Sequence, residues 1–436
     1  MGRHLSREKL QGLLLREQVS REELRDLLDH LFEACPECGE LASDLRSTPA
    51  AGTHPLVERA LCRGEERRLQ MIRWQAVARA ELAELLELPP ARRRKRIERA
   101  FTRFRNPALV ELLLEENRRR VTEDPESALQ LAETARDVAL RLSESEVGRE
   151  LAMTLLAQSH MLRGNSLRAQ GEIRKADEVL SFARQMFEEE GNSDPLVEAE
   201  LAYLFVSLRS DQRRFAEAAR ELARAQEIYE RCQERRLLAR TLVKKGVVLF
   251  DAGEVAAASE ALDEALPLID GEEDPKLRLM AVHNGVDYLV ELGDCAAAAE
   301  RLRAHAELYD RFPDVWTQAR RHWVEAKVAR GLGRPAEAEK LYLQVQSMFA
   351  AGGQAFQAAL AGLELSLLQV EQGRMVEARK LAAEIVPAFL AQDIRREALA
   401  AVLVYEDAAR REVLTTAVVH ETLRALSRAP FAAASA

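Results

Sequence analysis

Apolar and small side chains recur along most of the chain at a fixed interval of about forty residues. The interval is marked by residues suited to tight turns, which stand forty or forty-two positions apart: Gly171, Arg213, Gly253, Gly293, Gly333 and Gly373. Self-similarity at such a period is the signature of stacked structural repeats. We therefore interpret these positions as the turns of consecutive repeat units.

Each unit shows the same order of small and large residues after its turn. The fifth position is always alanine: Ala176, Ala218, Ala258, Ala298, Ala338 and Ala378. The sixteenth is always large and apolar: Phe187, Tyr229, Ile269, Tyr309, Phe349 and Phe389. These offsets share one face of a helix. A small residue such as Gly246 often stands seven positions before the turn, so the pattern predicts pairs of closely packed helices.

These residues resemble the tetratricopeptide repeat family, whose pattern has a small residue in the first helix, a turn glycine seven later, and Ala, a large apolar residue and Ala at plus five, nine and twelve. The resemblance covers about residues 145 to 428. It implies an all-α fold, a right-handed α-solenoid of helical hairpins. The period of forty exceeds the family's thirty-four, and the proline that usually closes a repeat is missing. We therefore expect each helix to be longer by about one turn.

Composition agrees with a helical repeat protein. Of the 436 residues, 47% are hydrophobic, 31% are charged and only 5% are aromatic, as is typical of helices packed through small and aliphatic side chains. The net charge of −9 argues against a nucleic-acid scaffold for the chain as a whole. No long apolar run or signal-peptide core occurs, so we expect a cytoplasmic protein. Cys232 and Cys295 fall within repeat helices and are expected to be buried.

The pattern predicts five segments. Residues 1–46 form a small helical element with short amphipathic helices at 5–15 and 20–32, and residues 47–55 form a linker. Residues 56–106 form a helical connector, residues 107–428 form the solenoid, and residues 429–436 form a disordered tail. A two-helix element of this size buries too little apolar surface to be stable alone, so it needs a partner or a metal.

Candidate metal ligands lie within that element. His30 is followed by Cys35 and Cys38, and a Cys-x-x-Cys pair offers two thiolates to a tetrahedral zinc ion. His4 stands where it could complete the site. The alternatives are a turn with two ordinary thiols, or a thioredoxin-like redox pair, which lacks the surrounding βαβ pattern.

The arrangement resembles the zinc-binding anti-sigma factor family, in which a residue near the start of the chain joins a later His-x3-Cys-x2-Cys. The resemblance implies that His4, His30, Cys35 and Cys38 bind Zn. Four residues separate His30 from Cys35 here, where the family has three. A helix through both residues would place them about 140° apart, so the helix must end near Ala34.

A basic run, Arg92 to Arg96, opens the helix predicted to continue to Arg105. It is either a phosphate-binding face or a solvated helix side whose buried stripe is Ile97, Phe101 and Phe104. The glycine-rich stretch 331–336 imitates a dinucleotide fingerprint but lies at a repeat turn, without the strand that such a motif requires. No catalytic motif is present, and we expect no enzyme activity.

Two functions follow. In the first, the protein is a scaffold and regulator that binds a protein segment, while its zinc-dependent N-terminal element acts on a sigma factor. In the second, it is a redox or metal sensor in which Cys35 and Cys38 control partner binding.

The resemblance also implies where a partner binds. In tetratricopeptide repeats the first helices line the concave face, through positions thirteen, ten, six and three before the turn. Those positions are Tyr203, Arg240, Val243, Val247, Phe250, His283, Asp287, Arg320, Trp323, Lys327 and Arg330. The cations between Arg320 and Arg330 favour an acidic or C-terminal carboxylate segment. The competing interpretation is that Trp323 belongs to the core and the arginines are solvated.

Overall fold

The computed structural model describes residues 55–189, 194–391 and 396–427. Within these ranges every regular element is a helix. The chain divides between Ser193 and Asp194 into two compact units, called here unit 1 and unit 2. None of the described helices is long and apolar enough to cross a membrane.

Unit 1 contains seven described helices, and each of them packs against at least one other helix of the unit. Their bounds are α1 Pro55–Glu87, α2 Pro90–Arg99, α3 Pro107–Arg120, α4 Pro125–Ala139, α5 Glu144–Val147, α6 Arg149–Ala169 and α7 Ile173–Glu189. Prolines open the first four helices, where the first-turn amide has no partner to lose. Pro125 therefore begins α4, which packs on α3.

Unit 2 contains most of the repeats as helix pairs. The first helices are α8 Pro195–Asp211, α10 Arg235–Ala252, α12 Pro275–Glu291, α15 Val315–Gly331, α17 Ala355–Glu371 and α19 Arg396–Arg410. The second helices are α9 Phe215–Arg231, α11 Val255–Ala265, α13 Cys295–Ala304 with α14 Ala306–Asp310, α16 Pro335–Ala351, α18 Met375–Leu390 and α20 Thr416–Ser427. Most full helices are sixteen to eighteen residues long.

The predicted turn residues all adopt the left-handed conformation that ends a helix. Their φ angles lie between 59° at Arg213 and 91° at Gly253. At Gly253 the amide donates to the carbonyl of Phe250 and the next amide donates to Leu249, at 2.9 and 2.8 Å. At the end of α8 the Arg213 amide donates to the carbonyl of Ser210 and the Arg214 amide donates to that of Arg209, both at 2.8 Å. This is the Schellman arrangement, so the arginine takes a backbone conformation that glycine adopts more easily.

Close helix packing within each pair follows from the small residues. The six alanines after the turns are 0 or 1% exposed. A Cβ atom added to Gly246 on α10 would lie 2.9 Å from the Cδ2 atom of Leu262 on α11. A Cβ atom added to Gly164 on α6 would likewise lie 2.6 Å from the Cγ atom of Leu180 on α7. The large residues at the sixteenth position are buried as well, so the repeat frame predicted from sequence is confirmed.

Two second helices are interrupted. Pro267 converts the end of α11 into a short 3-10 helix, Leu266–Leu268, because proline lacks the amide that an α-helix needs. His305 has φ of −118° and separates α13 from α14. Both interruptions lie in repeats that contribute to the site described below.

The end of α2 differs from the prediction. The helix stops at Arg99 instead of continuing to Arg105, and a turn places Phe104 in the core while Phe101 is 85% exposed. The Glu81 carboxylate holds this turn by accepting from the Phe104 amide at 3.2 Å and from Asn106 Nδ2 at 2.8 Å. The predicted buried stripe was therefore right for Ile97 and Phe104 and wrong for Phe101.

Candidate partner-binding face

All the positions predicted to contact a partner lie on first helices of unit 2. We call the surface that they mark on α8, α10, α12 and α15 the first-helix face. Tyr203 lies on α8, and Arg240 to Phe250 lie on α10. His283 and Asp287 lie on α12, and Arg320 to Arg330 lie on α15. The face is built by stacking, because side chains at the same repeat position follow one another from helix to helix.

Arg240 and Tyr203 form the first contact between repeats on this face. The guanidinium of the exposed Arg240 lies 4.4 Å from the centre of the half-buried Tyr203 ring. An arginine over an aromatic face is attracted by the ring quadrupole. The pair offers a partner one flat surface that is both cationic and aromatic.

Two of the positions predicted on α10 are already occupied by contacts within the protein, Val243 in the core and Phe250 against Tyr288 of α12. Val243 is fully buried in the hydrophobic core between helices, so its side chain is not exposed to a partner in this structure. Its side chain belongs to the same core cluster as Ala258 and Leu262 of the second helix, α11. Val247 remains half-buried. Phe250 stacks on Tyr288 of α12 with 4.4 Å between ring centres and 12° between ring planes.

His283 is held in its neutral form. Its Nδ1 atom lies 3.1 Å from the hydroxyl of Tyr309, which is buried at the end of the second helix of the same repeat. Burial, together with the positive charge of Arg320, lowers the pKa of His283 to about 3. At neutral pH the imidazole is therefore a hydrogen-bonding group without charge.

A ladder of alternating charges crosses three repeats. Asp287 on α12 accepts from Lys327 Nζ on α15 at 2.8 Å. Lys327 also lies 3.7 Å from Glu364 on α17, and Glu364 accepts from Arg330 at 3.0 Å. The four side chains are only 10 to 27% exposed, so their charges attract one another more strongly than surface pairs do.

The ladder fixes the charge state of its members. Burial alone would lower the pKa of Lys327, but the carboxylates of Asp287 and Glu364 outweigh it and hold that pKa above its ordinary value. Burial alone would raise the pKa of Asp287, but the Lys327 ammonium outweighs it and holds that pKa below its ordinary value. Both groups therefore stay ionised through the neutral range.

The ladder also corrects the predicted cationic cluster. Lys327 and Arg330 are already neutralised by acids from the repeats on either side, so they do not offer free charge to a partner. Glu364, which the sequence pattern missed, lies nine residues before its turn and outside the four positions of the rule. Only the neighbouring repeat, seen in three dimensions, shows that it faces Arg330.

Arg320 is the cation of this group that is left without an ion pair. It is half-buried on α15, and within the described residues its side chain makes no hydrogen bond or ion pair. Burial lowers the pKa of its guanidinium, while the charge of Asp287 works in the opposite direction. A charged group removed from water without a direct partner is unfavourable, and an incoming carboxylate would relieve this cost.

Trp323 has features of both a core residue and a partner-binding residue. Its ring packs edge-to-face on Phe349 of α16 with 5.8 Å between ring centres, so it contributes to the core between α15 and α16. It is nevertheless half-buried, and the Lys327 ammonium lies 6.0 Å from its ring centre. The indole Nε1 atom is buried without a hydrogen-bond partner among the described residues. A substitution here therefore affects packing as well as the face.

The predicted metal ligands His4, His30, Cys35 and Cys38 lie outside the described residues. So do the predicted tail and all of the linker except Pro55. In the parts of the chain that are described, no group of three or more His, Cys, Asp or Glu side chains could hold a metal ion. Cys295 is buried and Cys232 is half-buried, each within or at the end of a repeat helix.

Comparison with known proteins gives similarity in structure alone. No family model matches the chain, and no curated protein matches it. Among solved structures, the apo form of RapI matches with a TM-score of 0.54 and 13% identity, over 70% of this chain and 85% of that chain. A STAND signal-transduction ATPase from Pyrococcus horikoshii, with a tetratricopeptide repeat sensor, matches with a TM-score of 0.51 and 15% identity.

The match to the STAND signal-transduction ATPase covers 95% of this chain and 62% of that chain. A Rap protein complexed with competence and sporulation factor matches with a TM-score of 0.48 and 16% identity, over 65% of this chain and 76% of that chain. At these identities the likeness concerns the fold. Over the residues that the structure describes, the chain is thus all-helical and resembles tetratricopeptide-like helical repeat proteins.

Proposed function

We propose that this protein is a non-catalytic scaffold of the cytoplasm that binds a segment of a partner protein on the first-helix face of unit 2. The observation that carries the proposal is the unpaired, half-buried Arg320 among aromatic groups and neutral His283. Arginine and aromatic side chains are the residues that dominate binding energy in protein interfaces. One of the similar structures carries such repeats as a sensor, which agrees with a binding role.

Lys327 and Arg330 are neutralised by Asp287 and Glu364 of neighbouring repeats. This restricts the kinds of partner segment that the face can bind. A segment bearing several acids would meet Asp287 and Glu364 as well as the cations, and would be repelled by them. A segment with one carboxylate placed at Arg320 and apolar or aromatic side chains on either side fits better. We therefore assign Arg320 as the anchor for a single carboxylate, with Phe250 and Trp323 as the apolar contacts.

Peptide selection tests this proposal. A random displayed peptide library is selected on the purified protein, and the affinity of a selected synthetic peptide is measured by calorimetry. Arg320→Gln should weaken binding about tenfold or more, since a charge-assisted hydrogen bond of about 1.5–3 kcal/mol is lost. The matched control is Arg220→Gln, which changes an exposed arginine on the second helix α9.

Arg320→Gln and Phe250→Ala could both bind the selected peptide with the affinity of wild type. That result would show that the peptide binds another surface. The proposal would then be wrong for this face.

We propose further that the N-terminal element holds one Zn ion through His30, Cys35, Cys38 and His4, and that it acts on a sigma factor. The support is chemical, because two thiolates and two imidazoles are a donor set that zinc prefers. In purified Cys35→Ser/Cys38→Ser protein the zinc content should fall to near zero, and binding to purified sigma factors should be lost. Unchanged zinc content would refute the assignment.

The sensor alternative gives a different result. If Cys35 and Cys38 control partner binding, peroxide should release the zinc and also change the affinity of the peptide selected on unit 2. A zinc-dependent element with a separate target would leave that affinity unchanged.

A further inference from the structure

Helix α2 in unit 1 carries an outward face of cations. Arg92, Lys95 and Arg99 follow one another at spacings of three and four residues, and all three are exposed. Such spacings align side chains along one side of a helix. Ile97, which is fully buried, lies on the opposite side and attaches the helix to the rest of unit 1.

The other basic residues of α2 are engaged locally. Arg93 donates to the carbonyls of Leu85 and Leu88 at the end of α1, at 2.9 Å each. Arg94 pairs with Glu98, and Arg96 pairs with Glu84, both at 2.8 Å. By contrast, Arg92, Lys95 and Arg99 have no ion pair with any residue that the structure describes. The outward face of α2 is thus an array of three free positive charges.

A second segment of the same chain has the opposite charge pattern. Residues 91–105 contain eight basic residues and one acidic residue, whereas residues 22–44 contain eight acidic residues and one basic residue. In a chain whose net charge is −9, the basic segment is the exception.

The spacing matches as well. Glu22, Asp26 and Asp29 follow one another at spacings of four and three residues in the helix predicted for residues 20–32. They would lie on the side of that helix opposite Leu24, Leu27, Leu28 and Leu31, which leaves these leucines to pack on the helix predicted at residues 5–15. Each charged row spans seven residues, or about 10 Å of helix, so the two rows can lie side by side.

The connection is long enough. With His30, Cys35 and Cys38 held in the N-terminal element, the tether from Cys38 to Pro55 has seventeen residues, and a chain of that length extends up to about 56 Å. Helix α1 has 33 residues and is therefore about 50 Å long. Since α2 follows the far end of α1, an extended tether is long enough for the acidic segment to reach it.

We propose that the acidic segment 22–44 binds to the outward face of α2 through Glu22, Asp26 and Asp29. The contact places the N-terminal element, with the metal ligands predicted in it, against unit 1. Because the pairs are exposed to solvent, salt weakens the contact. An anionic partner of α2 would compete with the segment and release it.

Zero-length cross-linking tests the contact on the full-length protein. A carbodiimide couples a carboxylate directly to an amine, and Lys95 is the one lysine of the α2 face. Peptide mass spectrometry should find Lys95 joined to acidic residues of segment 22–44, several times more often than the exposed Lys340 of unit 2. The yield should fall several-fold in 0.5 M salt, where the screening length is only a few ångströms.

Charge-reversed variants test the residues. Arg92→Glu/Arg99→Glu keeps Lys95 and should lower its cross-linking several-fold, whereas Arg220→Glu/Arg303→Glu makes the same charge change at exposed positions of unit 2 and should leave the yield unchanged. Glu22→Arg/Asp29→Arg combined with Arg92→Glu/Arg99→Glu should restore it. Circular dichroism verifies that each variant keeps its helix content.

Three outcomes would overturn the proposal. Lys95 could couple to segment 22–44 no more often than Lys340 does. The Arg92→Glu/Arg99→Glu variant could keep the full yield. In a mixture of ordinary and isotope-labelled chains, the cross-links could join two different chains, which would make the occupant a second copy.

Discussion

Asp287 and Lys327 occupy the same position in consecutive repeats, and their side chains meet with 2.8 Å between Oδ1 and Nζ. The pair therefore joins the first helices of two consecutive repeats. Glu364 continues the contact to a third repeat. The charges hold the first helices in register on the same face that we propose for partner binding, so stability and function depend on overlapping residues.

Breaking this pair from one side should destabilise unit 2. Lys327→Met leaves Asp287 half-buried and unpaired, and we expect the free energy of unfolding to fall by about 1–3 kcal/mol, reduced from the fully buried case by partial exposure. Replacing both residues, as in Asp287→Leu/Lys327→Met, should recover much of that loss. Thermal unfolding of the two single variants and the double variant measures the coupling. Strictly additive losses would contradict it.

The alanine after each turn should not accept a larger side chain. Ala338 is fully buried between α15 and α16, and Ala338→Leu should destabilise unit 2 by about 1–3 kcal/mol through overpacking. Ala298→Leu should behave similarly. The control is Ala336→Leu on the exposed side of α16, which should change the melting temperature little. If the buried and exposed variants melt alike, the packing at this position is looser than the structure shows.

The left-handed turn at Arg213 provides a backbone test. Arg213→Gly should stabilise unit 2 by about 0.5–1 kcal/mol, because glycine takes this conformation without steric cost. Gly253→Ala should have the opposite sign, by about 1 kcal/mol. A Cβ atom at residue 253 would have nothing within 4 Å. The loss of stability would therefore come from the unfavourable backbone conformation and not from a steric clash. Differential scanning calorimetry compares the two variants with wild type.

His283 should make stability depend on pH below neutrality. Its pKa is lowered to about 3 from an ordinary 6.5, so the unfolded chain binds a proton that the folded chain does not. The contribution of His283 is therefore complete above about pH 6.5 and is lost progressively as the pH falls toward 3. At pH 5 the loss should be on the order of 1–2 kcal/mol.

Proton NMR of the imidazole and the pH dependence of unfolding measure this effect. The His283→Gln variant should show a shallower loss of stability between pH 6.5 and pH 4 than wild type. A His283 titration midpoint near 6.5 in the folded protein would contradict the buried environment seen here.

The sequence by itself determined the repeat frame, because the information is local and periodic. A turn residue, a small residue seven positions before it and an alanine five positions after it specify a closely packed helical pair whatever surrounds it. For that reason the turns at Arg213 and Gly253 and the buried Ala338 were predictable. The first-helix location of residues such as Tyr203 and Lys327 followed from the same frame.

The tertiary structure alone decided which of those residues remain available to a partner. Val243 obeys the positional rule yet is buried, because it packs in one core cluster with Ala258 and Leu262 of the second helix, whereas Trp323 at the same repeat position stays half-buried. Phe101 follows a helical pattern yet is exposed, because Glu81 stabilises a turn that ends the helix early. Arg330 meets Glu364 across thirty-four residues, a separation at which local pattern carries no information about distance. Charge neutralisation depends on distances of a few ångströms between stacked repeats, and only folding brings those side chains together.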